Sequence, residues 1–160
     1  MSLKIIIGSD HAGYEMKSKL MFFLKNVVDI GEGIDIEDMG TYSTESVDYP
    51  DQALCVSERI ISFKKNGVKV LGILICGTGI GISIAANKVP GIRAANCHNE
   101  FTAQMAREHN DANILVLGSR VIDLSLAEKI VRIFLTTQHA GDRHKRRVQK
   151  IIDIEKKYFK

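Results

Sequence analysis

Val70-Leu71-Gly72-Ile73-Leu74-Ile75-Cys76-Gly77-Thr78-Gly79-Ile80-Gly81 is the stretch that decides the fold. An apolar run without alternation is a strand covered on both faces, the kind a parallel sheet between helices requires. It breaks into a turn in which every second residue is glycine, and the alanine-rich stretch near 82–88 reads as a helix. Working outward, Lys4-Ile5-Ile6-Ile7-Gly8 is a second buried strand, and Tyr14, Lys17, Leu20, Met21 and Leu24 follow at helical spacing within 13–27. Ile34 through Met39 alternates up to Gly40 and reads as a strand, and Pro50 is placed to open a helix reaching about Lys65. Downstream, 92–97 and 114–118 read as strands, with helical patterns near 100–109 and 123–136. A basic amphipathic helix closes the chain, with Val148, Ile151, Ile152 and Ile154 on its apolar side.

Strand and helix thus alternate about five times. The expected architecture is an α/β three-layer α/β/α sandwich with a five-stranded parallel sheet, Rossmann-like, in a single domain over 1–160. In such sheets ligands sit beyond the carboxyl ends of the strands. That rule gathers Ser9-Asp10-His11, Cys76 through Gly81, His98-Asn99 and Ser119-Arg120, which are among the chemically capable residues of the chain.

Composition narrows the classes. The chain has 160 residues, 45% hydrophobic and 26% charged, which is ordinary for a globular domain. No run of ~18 apolar residues suggests a membrane span, and no secretory signal pattern opens the sequence. Three cysteines without close spacing suggest free thiols in a reducing compartment, so a cytoplasmic location is expected, and no CxxC suggests zinc. Residues 139–160 hold eight Lys/Arg against three Asp/Glu, while the remainder is slightly acidic. A basic tail beside an acidic body suggests an anionic partner, a small-molecule phosphate or a nucleic-acid backbone. No aromatic residue interrupts 139–150, which disfavours nucleic acid.

Chemistry and plain structure compete at each motif. The turn 76–81 can aim several backbone N–H groups at one anion, or it is a tight turn beside a packed thiol. It lacks the GK[ST] of a Walker loop, and Ile82 stands where a cysteine phosphatase loop needs arginine. Its G-x-G-x-G spacing also departs from the dinucleotide fingerprint. Asp10-His11 can transfer protons, or cap a helix. His109 can be a general acid, or a cation at a helix end. Arg143 and Arg147 are four apart and share a helix face, either to grip a phosphate or to be solvated. His98 and His139 attract only a surface or structural reading.

Ser-Asp-His-Ala-Gly at 9–13, Thr-Tyr-Ser-Thr-Glu-Ser-Val-Asp-Tyr-Pro at 41–50, Cys-Gly-Thr-Gly-Ile-Gly-Ile-Ser-Ile-Ala-Ala-Asn-Lys at 76–88, Arg-Glu-His-Asn-Asp-Ala-Asn at 107–113 and Arg-His at 143–144 form one set. Together these motifs resemble the type B ribose-5-phosphate isomerases, a family that includes allose-6-phosphate and galactose-6-phosphate isomerase subunits. The resemblance covers nearly the whole chain, and 76–88 is its most specific part.

The resemblance implies an aldose–ketose isomerase that interconverts ribose 5-phosphate and ribulose 5-phosphate, with no cofactor and no metal. It implies Cys76 as the base between carbons 1 and 2. Gly77, Thr78, Gly79, Ile80 and Gly81 would bind the enediolate oxygens. His109, assisted by Asp10, would open the furanose ring. His11, Arg143 and Arg147 would hold the phosphate, and Asn110 and Arg120 would line the site. It further implies a homodimer or pair of dimers, with 109–147 supplied by the neighbour and the helix 142–159 packed on it. Ile82 occupies the position where some members carry a glutamate base, which puts this chain in the cysteine branch. The segment 29–39 looks longer than the family's usual connection, and Asn99 stands where aspartate is common. A six-carbon sugar phosphate is the near alternative as substrate, and a non-catalytic nucleotide-binding module the distant one.

Overall fold

The structure, a computed structural model, describes residues 2–31 and 33–159. Five strands form one sheet: β1 (Leu3–Ser9), β2 (Ile34–Asp38), β3 (Val70–Cys76), β4 (Ala94–Asn96) and β5 (Ile114–Gly118). They lie in the order β2-β1-β3-β5-β4, and every pairing is parallel. The helices are α1 (Tyr14–Asn26), α2 (Tyr49–Lys65), α3 (Ile80–Ala86), α4 (Glu100–Glu108), α5 (Leu124–Thr136) and α6 (Asp142–Tyr158). The three-layer α/β/α sandwich read from the sequence is the observed fold. Part of the long 29–39 connection, at Glu32, lies outside the described residues.

All seven residues of β3 are buried, which is why the run does not alternate. Leu71, Ile73 and Ile75 face one layer, with Leu20, Leu24, Ala103, Ile130 and Phe134 from α1, α4 and α5. Val70, Leu74 and Cys76 face the other, with Ala53, Val56, Ile60, Ile82 and Ala86 from α2 and α3. The sheet is therefore hydrophobic on both sides, and burial of that apolar area is the main force holding the layers together.

The chain enters at β1, moves out to β2, and crosses back over β1 to reach β3. The carboxyl ends of β1 and β3 are consequently a topological switch point, where the connections diverge and leave a crevice. The Asp10 amide donates to the Ile75 carbonyl at 3.1 Å and the Ser119 amide to the Cys76 carbonyl at 2.9 Å, which draws three strand ends into one place.

Only His144 and Val148 of α6 are buried. Ile151 and Ile154 of the apolar side read from the sequence are 44% and 60% exposed. Among the described residues, no helix is long and apolar enough to cross a membrane.

Candidate active site

At the switch point, the Gly79 amide donates to the Cys76 sulfur at 3.1 Å. Gly79 has φ +79°, a left-handed conformation that side chains other than glycine's disfavour, and a Cβ there would meet Asn96 Oδ1 at 2.3 Å. Gly81 meets a second close approach, because the Tyr49 ring lies 2.6 Å from where its Cβ would stand. Cys76 itself is 4% exposed, so it forms the floor of the turn. Thr78 and Ile80 are exposed on its rim. The Ile80 amide donates to Thr78 Oγ1 at 3.3 Å.

Asp10, 6% exposed, lies beside this turn, and its Oδ1 accepts the Gly13 amide at 3.0 Å. The capping role open to it is therefore real, and it fixes the carboxylate at the start of the 3-10 turn His11–Gly13. His11 Nδ1 lies 3.2 Å from the Val47 amide and 3.3 Å from its carbonyl, so the 41–48 connection sets this ring. Arg120 closes the far side: its amide donates to the Gly77 carbonyl at 2.9 Å and its guanidinium reaches over Gly77. Cys76, the turn 77–81, Asp10, His11 and Arg120 are thus brought together.

His109, Asn110, Arg143 and Arg147 are not with them. The end of α4 meets the segment entering α6 toward the amino ends of the strands, where the Ala140 amide donates to the Glu108 carbonyl at 2.9 Å. β5 runs from just after Asn113 to just before Arg120, and a strand of that length spans roughly 16 Å. Within one chain, proton transfer between His109 and a sugar seated on Cys76 is therefore out of reach. Asn110 lines a groove of about 430 Å³ with Ile92, Arg93, Ile151 and Ile154, also toward the amino ends of the strands, and its carbonyl accepts Arg93 Nε.

This second cluster is strongly cationic. The rings of His109 and His144 stack with centroids 4.0 Å apart and planes 5° from parallel. Arg143 Nε donates to His144 Nε2 at 3.4 Å. Burial holds the His144 imidazole below its usual range, and the neighbouring His109, Arg143, Arg147 and His139 act in the same direction. His144 and Tyr49 are the residues that sequence reading leaves without a role. The Arg143-His144 pair sits within a quoted motif, so its position is visible, but the stack on a ring 35 residues earlier has no spacing signature.

The parallel sheet with a glycine turn and a thiol at its switch point is an α/β fold with a candidate anion site. The chain belongs to the family described as Ribose/Galactose Isomerase, whose profile matches residues 5–151. It is 44% identical to ribose-5-phosphate isomerase B of Escherichia coli over 154 residues, covering 96% of this chain and 97% of that protein. It is 55% identical to the Clostridium thermocellum ribose-5-phosphate isomerase B structure, with TM-score 0.86 and coverage of 97% and 99%. A Mycoplasma genitalium ribose-5-phosphate isomerase B structure with bound ribulose-5-phosphate is 44% identical, with TM-score 0.86 and coverage of 98% of each chain.

Proposed function

We propose that this chain interconverts ribose 5-phosphate and ribulose 5-phosphate through a cis-enediolate. The observation that carries the reading is the Cys76 sulfur at the floor of the glycine turn, in a chain 44% identical over nearly its whole length to a relative solved with ribulose-5-phosphate bound. In this reading His109, assisted by Asp10, opens the furanose: the carbon-1 hydroxyl gives up its proton and the ring oxygen gains one. The Cys76 thiolate then takes the proton from carbon 2 of the aldehyde. The amides of Gly77 through Gly81, with Thr78, accept the charge that develops on oxygens 1 and 2. The proton returns to carbon 1 while the carbon-2 hydroxyl passes its proton to oxygen 1, which leaves a hydroxyl on carbon 1 and the ketone at carbon 2. Each proton-transfer group contributes roughly 100-fold to 10,000-fold. His11, Arg143 and Arg147 grip the phosphate, whose binding energy positions the reacting carbons, while Asn110 and Arg120 line the site.

The same reading requires two copies of the chain. The separation of the Cys76 turn from the His109–Arg147 cluster supports a homodimer, alone or paired, in which each site takes its base from one copy and its ring-opening and phosphate groups from the other. The exposed apolar side of α6 is consistent with packing on that neighbour. Two free thiols buried out of solvent, Cys76 and Cys97, fit a cytoplasmic location.

An isomerase assay on ribose 5-phosphate in the presence of EDTA tests the reaction and its independence of metal. Turnover of both five-carbon sugars is expected, with Cys76→Ala at least ~100-fold slower. A Cys76→Ala protein of near-normal rate removes the base assignment. Specificity constants for five- and six-carbon sugar phosphates decide between the near substrates.

A further inference from the structure

The His109 ring is set by an unusual neighbour. Among the described residues, no side chain or backbone group hydrogen-bonds this imidazole, although its backbone amide is fixed to the Met105 carbonyl at the end of α4. What meets the ring is His144, parallel and 4.0 Å away. His144 is itself well anchored. It lies in the first turn of α6, is 7% exposed, and donates its amide to the Gly141 carbonyl at 2.9 Å. A guanidinium cannot accept a proton, so the Arg143 Nε–H aimed at His144 Nε2 makes that nitrogen the acceptor. The proton of the neutral ring then sits on Nδ1. His144 thus offers a flat ring face, and burial first, then His109, Arg143, Arg147 and His139, disfavour a proton charge on that ring. On α4, Arg107 is turned to Asp111 and the Ala112 carbonyl, while the Glu108 carboxylate is taken by Gln104.

We propose that His144 is a positioning residue for His109, holding that imidazole in one plane by stacking so that it can exchange protons with the carbon-1 hydroxyl and ring oxygen of the furanose. This rests on the reading of His109 as the ring-opening group. His144 touches no reacting atom. It removes the freedom of a ring that no hydrogen bond orients among the described residues, and such alignment matters most where a proton passes between two heteroatoms in one step.

Ring opening and enolisation can be read separately. In a Cys76→Ala background, opening and reclosing of ribose 5-phosphate interconverts its anomers without isomerisation, and exchange NMR on carbon-1-labelled sugar measures the rate. With Cys76 intact, solvent deuterium entering carbon 1 of ribulose 5-phosphate reports the thiolate step alone, because that ketose has its fifth oxygen esterified and cannot close a furanose. His144→Ala is expected to slow anomer exchange at least tenfold and leave carbon-1 deuteration within threefold. His144→Phe, which restores a flat face, is expected to recover most of the anomer exchange. The proposal falls if His144→Ala exchanges anomers within twofold of the parent, if deuteration drops in parallel with it, or if His144→Phe is as slow as His144→Ala. If Cys76→Ala alone exchanges anomers no faster than protein-free buffer, the ring-opening reading of His109 falls as well. Absence of any isomerase turnover in the unmodified chain would instead remove the function proposed above.

Discussion

The backbone amide of Gly79 points at the sulfur of Cys76 from 3.1 Å, and it does so because residue 79 takes φ +79°. A side chain at 79 meets two penalties. The left-handed conformation costs an L-residue roughly 1–2 kcal/mol, and the new Cβ would stand 2.3 Å from Asn96 Oδ1. Gly79→Ala is therefore expected to lower stability by at least ~1 kcal/mol in denaturant titration and to cost more than ~100-fold in kcat, since the amides of the turn would no longer converge. Retention of near-normal turnover would show that the enediolate is stabilised elsewhere.

What the sequence disclosed and what it hid follow from the range of the interactions involved. β3 was legible because burial on both faces writes itself as an unbroken apolar run, and the switch point followed from the order of strands. The turn 76–81 was legible because left-handed backbone and close approach both demand glycine. Lys17 was not: its spacing marks it as one more residue on the helix α1, yet it is 1% exposed. The groups that make this tolerable, Asp38 and the Thr41 carbonyl, come from the last residue of β2 and the connection after it. His144 was hidden for the same reason. A basic amphipathic pattern predicts Val148, Ile151, Ile152 and Ile154 beneath the helix; Val148 is buried there, Ile151 and Ile154 are exposed, and His144 is buried unannounced. The His144 ring is covered by His109, just past the end of α4, a contact that the helix's own periodicity cannot announce.

Lys17 carries a second prediction. Its ammonium donates to Asp38 Oδ1 at 2.5 Å and to the Thr41 carbonyl at 2.7 Å, and so ties α1 to the connection that leads to Val47 and His11. Lys17→Met would leave Asp38 without its cation and Thr41 without a donor. Asp38 is partly exposed and keeps the Gly40 amide, so the cost falls below the ~3 kcal/mol of a fully buried pair. The variant is expected to unfold at lower denaturant and, because His11 loses its fixed support, to show a raised KM for ribose 5-phosphate with a smaller change in kcat. A changed kcat with KM unaltered would separate this connection from phosphate binding.

The three thiols are expected to differ sharply. Cys55 is exposed, whereas Cys97 is buried and desolvation pushes its thiol up to about 11. At pH 8 a thiol reagent should modify Cys55 quickly and Cys97 only on unfolding. The linkage has a definite sign. An acid whose folded pKa is raised keeps its full contribution below the unfolded value of about 8.5, and loses it as the unfolded chain ionises first. Stability should therefore decline as pH rises from about 8.5 toward 11, by up to about 1.4 kcal/mol per unit. Cys97→Ala should remove that slope while lowering stability at neutral pH. An unchanged slope in Cys97→Ala would assign the alkaline loss to other groups.

If the site is shared between two copies as proposed, the variants should complement each other. Cys76→Ala removes the proposed base but keeps His109, Arg143 and Arg147, whereas His109→Asn keeps the Cys76 turn. Each homodimer alone is expected to be nearly inactive on ribose 5-phosphate. In a dimer with one copy of each, one site combines the intact turn of one chain with the intact imidazole of the other, and the second site carries both defects. Random exchange of equal amounts makes half of the dimers mixed, so about one quarter of the unmodified activity should return. Activity that stays at the level of the separate variants, after mass spectrometry has shown that subunits exchanged, would mean that each chain completes its own site. That outcome would require α4 and α6 to move across the length of β5, a rearrangement that the burial of Ala103 and Ala106 of α4 in the core opposes.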